Sequence, residues 1–251
     1  MTPMPPMPPM FETFSVRLVR GRLVTSRVRE LVFERVDEKP FLFKAGQWVS
    51  LRFPLVDERQ RSVRRSYSVA SVPDGSGRFE LIVTKVEGGS GSTWLHEAKE
   101  GATIEAKGPQ GTFLFSAEPA PSLLIATGTG IAPFRGMVRQ ALEAGGSEPL
   151  WVLFGVRSLA DALYREEFEA LAKVEPRVRF ELTLSRGEES WAGRRGYVQG
   201  HVEELWAALS GAGRRPQAYV CGVKKMLTEV REVLRVKLGV ERQRVHLESY
   251  D

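Results

Sequence analysis

Cysteine is almost absent: Cys221 alone occurs in 251 residues. That excludes an intrachain disulfide, a zinc site built on thiolates and an iron–sulfur cluster. Histidine is nearly as scarce. His96, His201 and His246 stand far apart with no metal-ligand spacing. No apolar run approaches the roughly 20 residues that cross a bilayer, so no stable membrane insertion is expected. The opening "MTPMPPMPPM" has neither a basic region nor an apolar core, so it does not read as a secretory signal. Its five prolines forbid helix and favour an extended tail over residues 1–10, outside the fold. A cytoplasmic location is the expectation.

What is present is an ordinary globular composition, 42% hydrophobic and 27% charged. The net charge of +5 is unevenly spread. Residues 11–117 carry 17 basic against 13 acidic side chains, and residues 118–251 carry 19 against 18. A basic surface can steer nucleic acid, an anionic membrane or an acidic protein. No basic stripe interleaved with aromatics occurs, which argues against nucleic acid.

The grammar of the chain changes halfway. In residues 11–117, "FSVRLVRGRLV", "VRELVFERV", "QWVSLRFP", "RSYSVAS", "RFELIVTKVE", "TIEAKGP" and "GTFLF" alternate or are β-branched, with turn residues between them. They predict an antiparallel barrel or sandwich with one helical turn, "GSTWLHEAKEG". Residues 118–121 read as a linker. From 122 to 251, buried apolar runs such as "SLLIATG" and "PLWVLFGV" alternate with amphipathic helices such as "APFRGMVRQALEAGG" and "KMLTEVREVLRVKLG". Such alternation predicts an α/β doubly wound parallel sheet, with ligands at the carboxyl ends of its strands.

Four stretches carry chemistry. In "RRSYSVAS" an extended backbone puts Arg65, Tyr67 and Val69 on one face and Ser66, Ser68 and Ala70 on the other. A cation followed by an aromatic plane suits a ligand with an anionic part and a flat ring; an ordinary half-exposed strand reads the same way. "ATGTGIAPF" frees backbone amides at a helix start, an anion site or merely a tight turn. It lacks the third glycine of the strict dinucleotide fingerprint. "GGSGSTWLH" is a second Gly-rich helix start, where Ser92 and Thr93 could cap the helix or hold a phosphate. "YVCGVKKM" sets Cys221 at a strand end, and "LESYD" puts Glu248 and Tyr250 on one face.

Taken in order, R-x-Y-S, the Gly/Ser turn, G-T-G-x-A-P, a late C-G and a terminal E-x-Y resemble the ferredoxin–NADP⁺ reductase family over about residues 12–250. The resemblance implies a Greek-key barrel for FAD followed by a domain for NADP(H). Arg65 would pair with the FAD pyrophosphate, and Tyr67 would lie against the flavin. Ser68 would hydrogen-bond the reactive ring nitrogen. Gly91, Ser92 and Thr93 would bind the FAD phosphates, and Thr129 and Gly130 the NADP pyrophosphate. Cys221 and Glu248 would flank the nicotinamide. Tyr250 would cover the other flavin face and gate the nicotinamide, although Asp251 follows it. Ser185, Arg186 and Arg195 would hold the 2′-phosphate, with Tyr197 stacked on adenine; Glu188 and Glu189 keep an NADH preference open.

The function implied is hydride exchange between NADP(H) and FAD and single-electron exchange with a separate acidic carrier such as ferredoxin or flavodoxin, by a monomer. The cluster Arg59, Arg61 and Arg64 is the expected docking point. The rivals are a reductase component of a multicomponent oxygenase, a free-flavin reductase and a basic binding module.

Overall fold

The computed structural model describes residues 11–250; the Pro-rich tail and Asp251 lie outside the described residues. The first half forms β1 (Glu12–Leu23), β2 (Val28–Arg35), β3 (Trp48–Val56), β4 (Ser62–Ser68) and β5 (Arg78–Thr84). Helix α1 (Ser90–Glu97) and β6 (Thr103–Gln110) follow. The strands pair in the order β4-β3-β6-β1-β2-β5, all antiparallel. The order is that of a Greek key, because β6 returns to lie between β1 and β3. Alternation drives the curl. Phe14, Val16 and Leu18 of β1 are buried while their neighbours face water, and they meet Leu31, Phe33, Leu51 and Phe79 in one core. The edges are drawn together just past β4. Val69 N–H still donates to Gln47 O at 2.9 Å, but Ala70 N–H donates to Glu80 O on β5 at 2.8 Å.

The second half opens with β7 (Ser122–Thr127), a 3₁₀ turn at Gly128–Ile131 and α2 (Ala132–Glu143). It continues through β8 (Leu150–Val156), α3 (Arg165–Val174), β9 (Val178–Leu184), the two-residue β10 (Arg194–Arg195) and α4 (Val202–Leu209). It ends with β11 (Gln217–Gly222), α5 (Lys224–Glu232) and β12 (Val245–Ser249). The sheet order is β10-β9-β8-β7-β11-β12, all parallel. Its central strands are buried on both faces, which is why they read as unbroken apolar runs. One core lies between the sheet and α4–α5. The other, with Phe134, Met137 and Phe168, runs on into Ala45, Ala70, Ile82 and Phe113, so the two halves share an apolar interface.

Two expectations need correction. "GTFLF" forms no strand: residues 111–115 carry no ladder, and Phe113 is buried where the halves meet, packed against Phe134 and Tyr219. Its alternation reflects burial between two units rather than pairing. The helix drawn through "KMLTEVREVLRVKLG" is α-helical only to Glu232, and Val233–Lys237 is wound more widely, as a π-turn.

Candidate functional site

The carboxyl ends of the parallel strands form one edge of the second half. On it the register sets Cys221 beside Glu248 and beside Ala126, so β11, β12 and the turn after β7 finish together. That edge faces the end of β4. Ser68, buried there, donates from Oγ to Glu248 Oε1 at 2.9 Å across the boundary between the halves. The Tyr250 hydroxyl donates to Ser68 Oγ at 3.2 Å, and the Cys221 thiol lies within hydrogen-bonding reach of the same hydroxyl. The Tyr250 backbone is pinned by its N–H to Gly222 O at 3.2 Å. Four residues spread over 183 positions of sequence thus meet at one point.

The electrostatics follow from burial. The Glu248 carboxyl is pushed up to about 7, with the Ser68 hydrogen bond working against the shift. Burial also raises the Cys221 thiol, which disfavours a nucleophilic thiolate. It raises the Tyr250 hydroxyl as well, although the residue as a whole is 37% exposed. The hydroxyl end is held against Ser68 and Cys221. On the barrel side the Tyr67 hydroxyl is pushed up to about 12 by burial, with the Arg65 charge opposing.

Beside Tyr67 lies a cradle for an anion. The Arg65 guanidinium is exposed and donates to Arg64 O at 2.7 Å, with no carboxylate partner among the described residues. Helix α1 starts next to it with no side-chain cap. A Cβ on Gly91 would sit 3.1 Å from the Phe53 ring and 3.3 Å from Arg65 Cγ, so a side chain there would press on both residues of the cradle. The Ser92 hydroxyl is already used inside the loop. It accepts from Val86 N–H at 3.1 Å and donates to Gly89 O at 3.0 Å. Thr93 sits in the first turn with its N–H on Gly89 O at 2.9 Å. Sequence reasoning missed Arg29, which donates to three carbonyls at the far end of α1, Leu95, His96 and Ala98, and so fixes the helix.

A second cradle follows β7. A Cβ at Gly130 would lie 2.1 Å from Cys221 O, so the turn containing Thr129 and Gly130 rests directly on β11. The Thr127 hydroxyl is buried without a hydrogen-bond partner among the described residues. Further along the edge, Ser185 N–H donates to Val156 O at 3.0 Å and Arg186 N–H to Arg157 O at 2.8 Å. Arg157 and Arg186 are exposed at neighbouring strand ends and form no ion pair among the described residues. Arg157 was not singled out from the sequence, though the strand-end rule that picked out Arg186 applies equally to "LFGVR". Arg195 is engaged: it donates to the carbonyls of Gly187, Glu188, Glu189 and Trp191 and ties that loop together. Tyr197 is 70% exposed beside it.

A curled antiparallel six-stranded sheet with an anion cradle and an aromatic face, joined at its strand end to a parallel sheet, defines a two-domain flavin and nicotinamide oxidoreductase. The oxidoreductase FAD-binding domain matches residues 15–115 and the oxidoreductase NAD-binding domain residues 124–232. The chain is 53% identical over 243 residues to ferredoxin–NADP reductase B of Sorangium cellulosum, covering 96% of this chain and 98% of that one. It is 31% identical over 246 residues to the ferredoxin–NAD(P)⁺ reductase component of the naphthalene 1,2-dioxygenase system of Pseudomonas putida, covering 95% and 70%. A ferredoxin NADP⁺ reductase of Neisseria gonorrhoeae, solved with bound FAD and NADP, shares the fold with a TM-score of 0.79 at 19% identity, covering 95% and 99%. The chain belongs to the ferredoxin–NADP⁺ reductase family. The donor chemistry of both cradles fits its two dinucleotides: unpaired guanidinium groups, uncapped helix starts and glycines at close approach.

Proposed function

We propose that this reductase passes electrons between NADPH and a separate acidic one-electron carrier, a ferredoxin or flavodoxin, as a monomer. The observation that carries the reading is the Tyr250–Ser68–Glu248 hydrogen-bond chain across the domain boundary, which sets the end of β4 against the carboxyl edge of the parallel sheet. FAD, when bound, supplies the exchange between a hydride and single electrons. Arg65 and the start of α1 would hold its pyrophosphate, Tyr67 would support one ring face and Tyr250 the other. Ser68 would present its hydroxyl to the reacting edge. Glu248, with a pKa near neutrality, would take up and release a proton beside that edge, its Oε1 accepting from Ser68 Oγ when the carboxyl is ionised.

The NADP(H) would lie along the carboxyl edge, from Cys221 past Thr129 and Gly130 to Ser185 and Arg186. Strands are about 4.8 Å apart, so β11 to β9 spans ~14 Å, a length an extended dinucleotide can follow. Arg186 and Arg157 offer free charge for the 2′-phosphate, while Arg195 contributes by shaping the loop. The relation to oxygenase reductase components favours a second reading, an oxygenase partner as acceptor.

The test is an absorption spectrum of the purified protein and its anaerobic titration with NADPH. A flavin band that bleaches with NADPH, and far less readily with NADH, supports the reading. A colourless protein, or equal bleaching by both nucleotides, overturns it in whole or for the cofactor preference.

A further inference from the structure

Hydride transfer joins two half-sites that sit on different domains. One hangs from the end of β4, at Ser68; the other from the turn that opens α2, at Gly130. Arg135, on the first turns of α2, is bonded to both sides. Its Nη1 donates to the Glu80 carboxylate of β5 at 2.5 Å and to Ala70 O at 3.4 Å. Its Nε donates to Glu167 on α3 at 2.8 Å. Ala70 lies two residues beyond Ser68, and its N–H is held by Glu80 O at 2.8 Å. Glu80 therefore grips the Ser68 strand with its backbone and α2 with its side chain.

The surroundings make this joint stiff. The side chains of Arg135 and Glu80 are both 22% exposed, and that of Glu167 26%, so solvent screens the ion pairs weakly. The guanidinium also lies over the Tyr164 ring, 4.8 Å from its centroid. At the next position the backbones touch. A Cβ on Gly136 would lie 2.9 Å from Ser71 O and 3.1 Å from Ala45 Cβ. One turn further, Gln140 Oε1 accepts from Ala45 N–H at 3.3 Å. Arg139, by contrast, reaches Glu167 alone among the described residues, within its own domain, at 3.4 Å.

We propose that Arg135 is a positioning residue for hydride transfer: with Glu80 it locks the nicotinamide-side turn to the flavin-side strand end and sets the approach of the two reacting rings. The inference rests on the reading that NADPH reduces a bound FAD. Arg135 touches neither cradle, so its loss acts on geometry rather than on cofactor binding, and a displacement of about 1 Å can cost a hundredfold in rate.

The test uses flavin-loaded Arg135→Gln, Glu80→Gln and the double variant. Three quantities are measured: the rate of anaerobic flavin bleaching by NADPH, NADP⁺ affinity by difference absorption, and calorimetric unfolding. Bleaching should slow ten- to a hundredfold in each single variant, while NADP⁺ affinity and flavin content stay within threefold of the parent. The double variant should be no slower than Arg135→Gln alone, because Glu80→Gln breaks an ion pair that Arg135→Gln has already removed. The parent should unfold in one transition and the variants in two, as the domains uncouple. Arg165→Gln, which breaks only the pair with Glu169 inside α3, should change none of these. If Arg135→Gln does not fold, Glu80→Gln carries the test alone. Parent-like bleaching in the variants, or a loss of NADP⁺ affinity equal to the loss of rate, overturns the assignment. A parent that NADPH does not bleach would overturn the functional reading instead, and the calorimetry would then decide whether the lock exists.

Discussion

Glu248 carries the proton economy of the site. Burial lifts its carboxyl from 4.5 to about 7, against the pull of the Ser68 hydrogen bond. The sign of the consequence is fixed. Between about pH 4.5 and 7 the native carboxyl keeps a proton that the unfolded chain has released, so stability falls as pH rises through that window. The slope has an upper limit of about 1.4 kcal/mol per pH unit. Glu248→Gln removes the titration and should flatten this contribution. Urea midpoints of both proteins from pH 4.5 to 8 test it, and parallel curves would mean that Glu248 titrates alike in the native and unfolded chains. At this scale the sequence was legible where a residue stands in a local motif. Ser68 and Tyr67 sit in R-x-Y-S, and Cys221 precedes a glycine at a strand end. Arg135 was hidden because its partners Glu80 and Glu167 lie 55 and 32 residues away. In "APFRGMVRQ" it reads as one more polar residue on an amphipathic helix.

Among the elements, the 3₁₀ turn between β7 and α2 carries the tightest constraint. Gly130 rests on β11, where any side chain would meet Cys221 O and C at 2.1 and 2.7 Å, backbone atoms that cannot swing aside. Gly130→Ala must therefore push α2 or β11 outward. Overpacking of this kind costs about 1–3 kcal/mol. The urea midpoint should fall accordingly, and NADPH should bind more weakly because the turn that would hold its pyrophosphate has moved. An unchanged midpoint would show that the turn yields freely. The glycines of "ATGTG" announced this element, but not which of them bears the contact. The elements that sequence reasoning missed had other causes. The "GTFLF" segment borrows strand-like alternation from burial between domains. The π-turn after α5 leaves no trace in periodicity over so few residues.

Across the whole molecule, the excess positive charge sits on the barrel half, and its arrangement decides where an acidic carrier would dock. Of the three arginines expected there, Arg61 is largely neutralised. Asp57 accepts from its side chain at 2.9 Å and from the backbone N–H groups of Arg59 and Arg61. Arg64 is different. It is exposed, forms no ion pair among the described residues, and lies opposite Arg52 across β3 and β4. Arg52 is itself only loosely paired, with Glu105 at 3.6 Å. Two cations side by side, one strand position from Arg65, concentrate positive charge beside the anion cradle. Arg64→Glu should therefore slow electron transfer to an acidic carrier more than Arg61→Glu. It should also weaken the fall of that rate with rising salt, since steering between opposite charges is what salt screens. Transfer to a small uncharged acceptor should stay near the parent rate in both variants. Stopped-flow oxidation of the NADPH-reduced protein at two ionic strengths, with each acceptor, separates these outcomes. An Arg64→Glu variant that loses both activities equally would place the docking surface elsewhere.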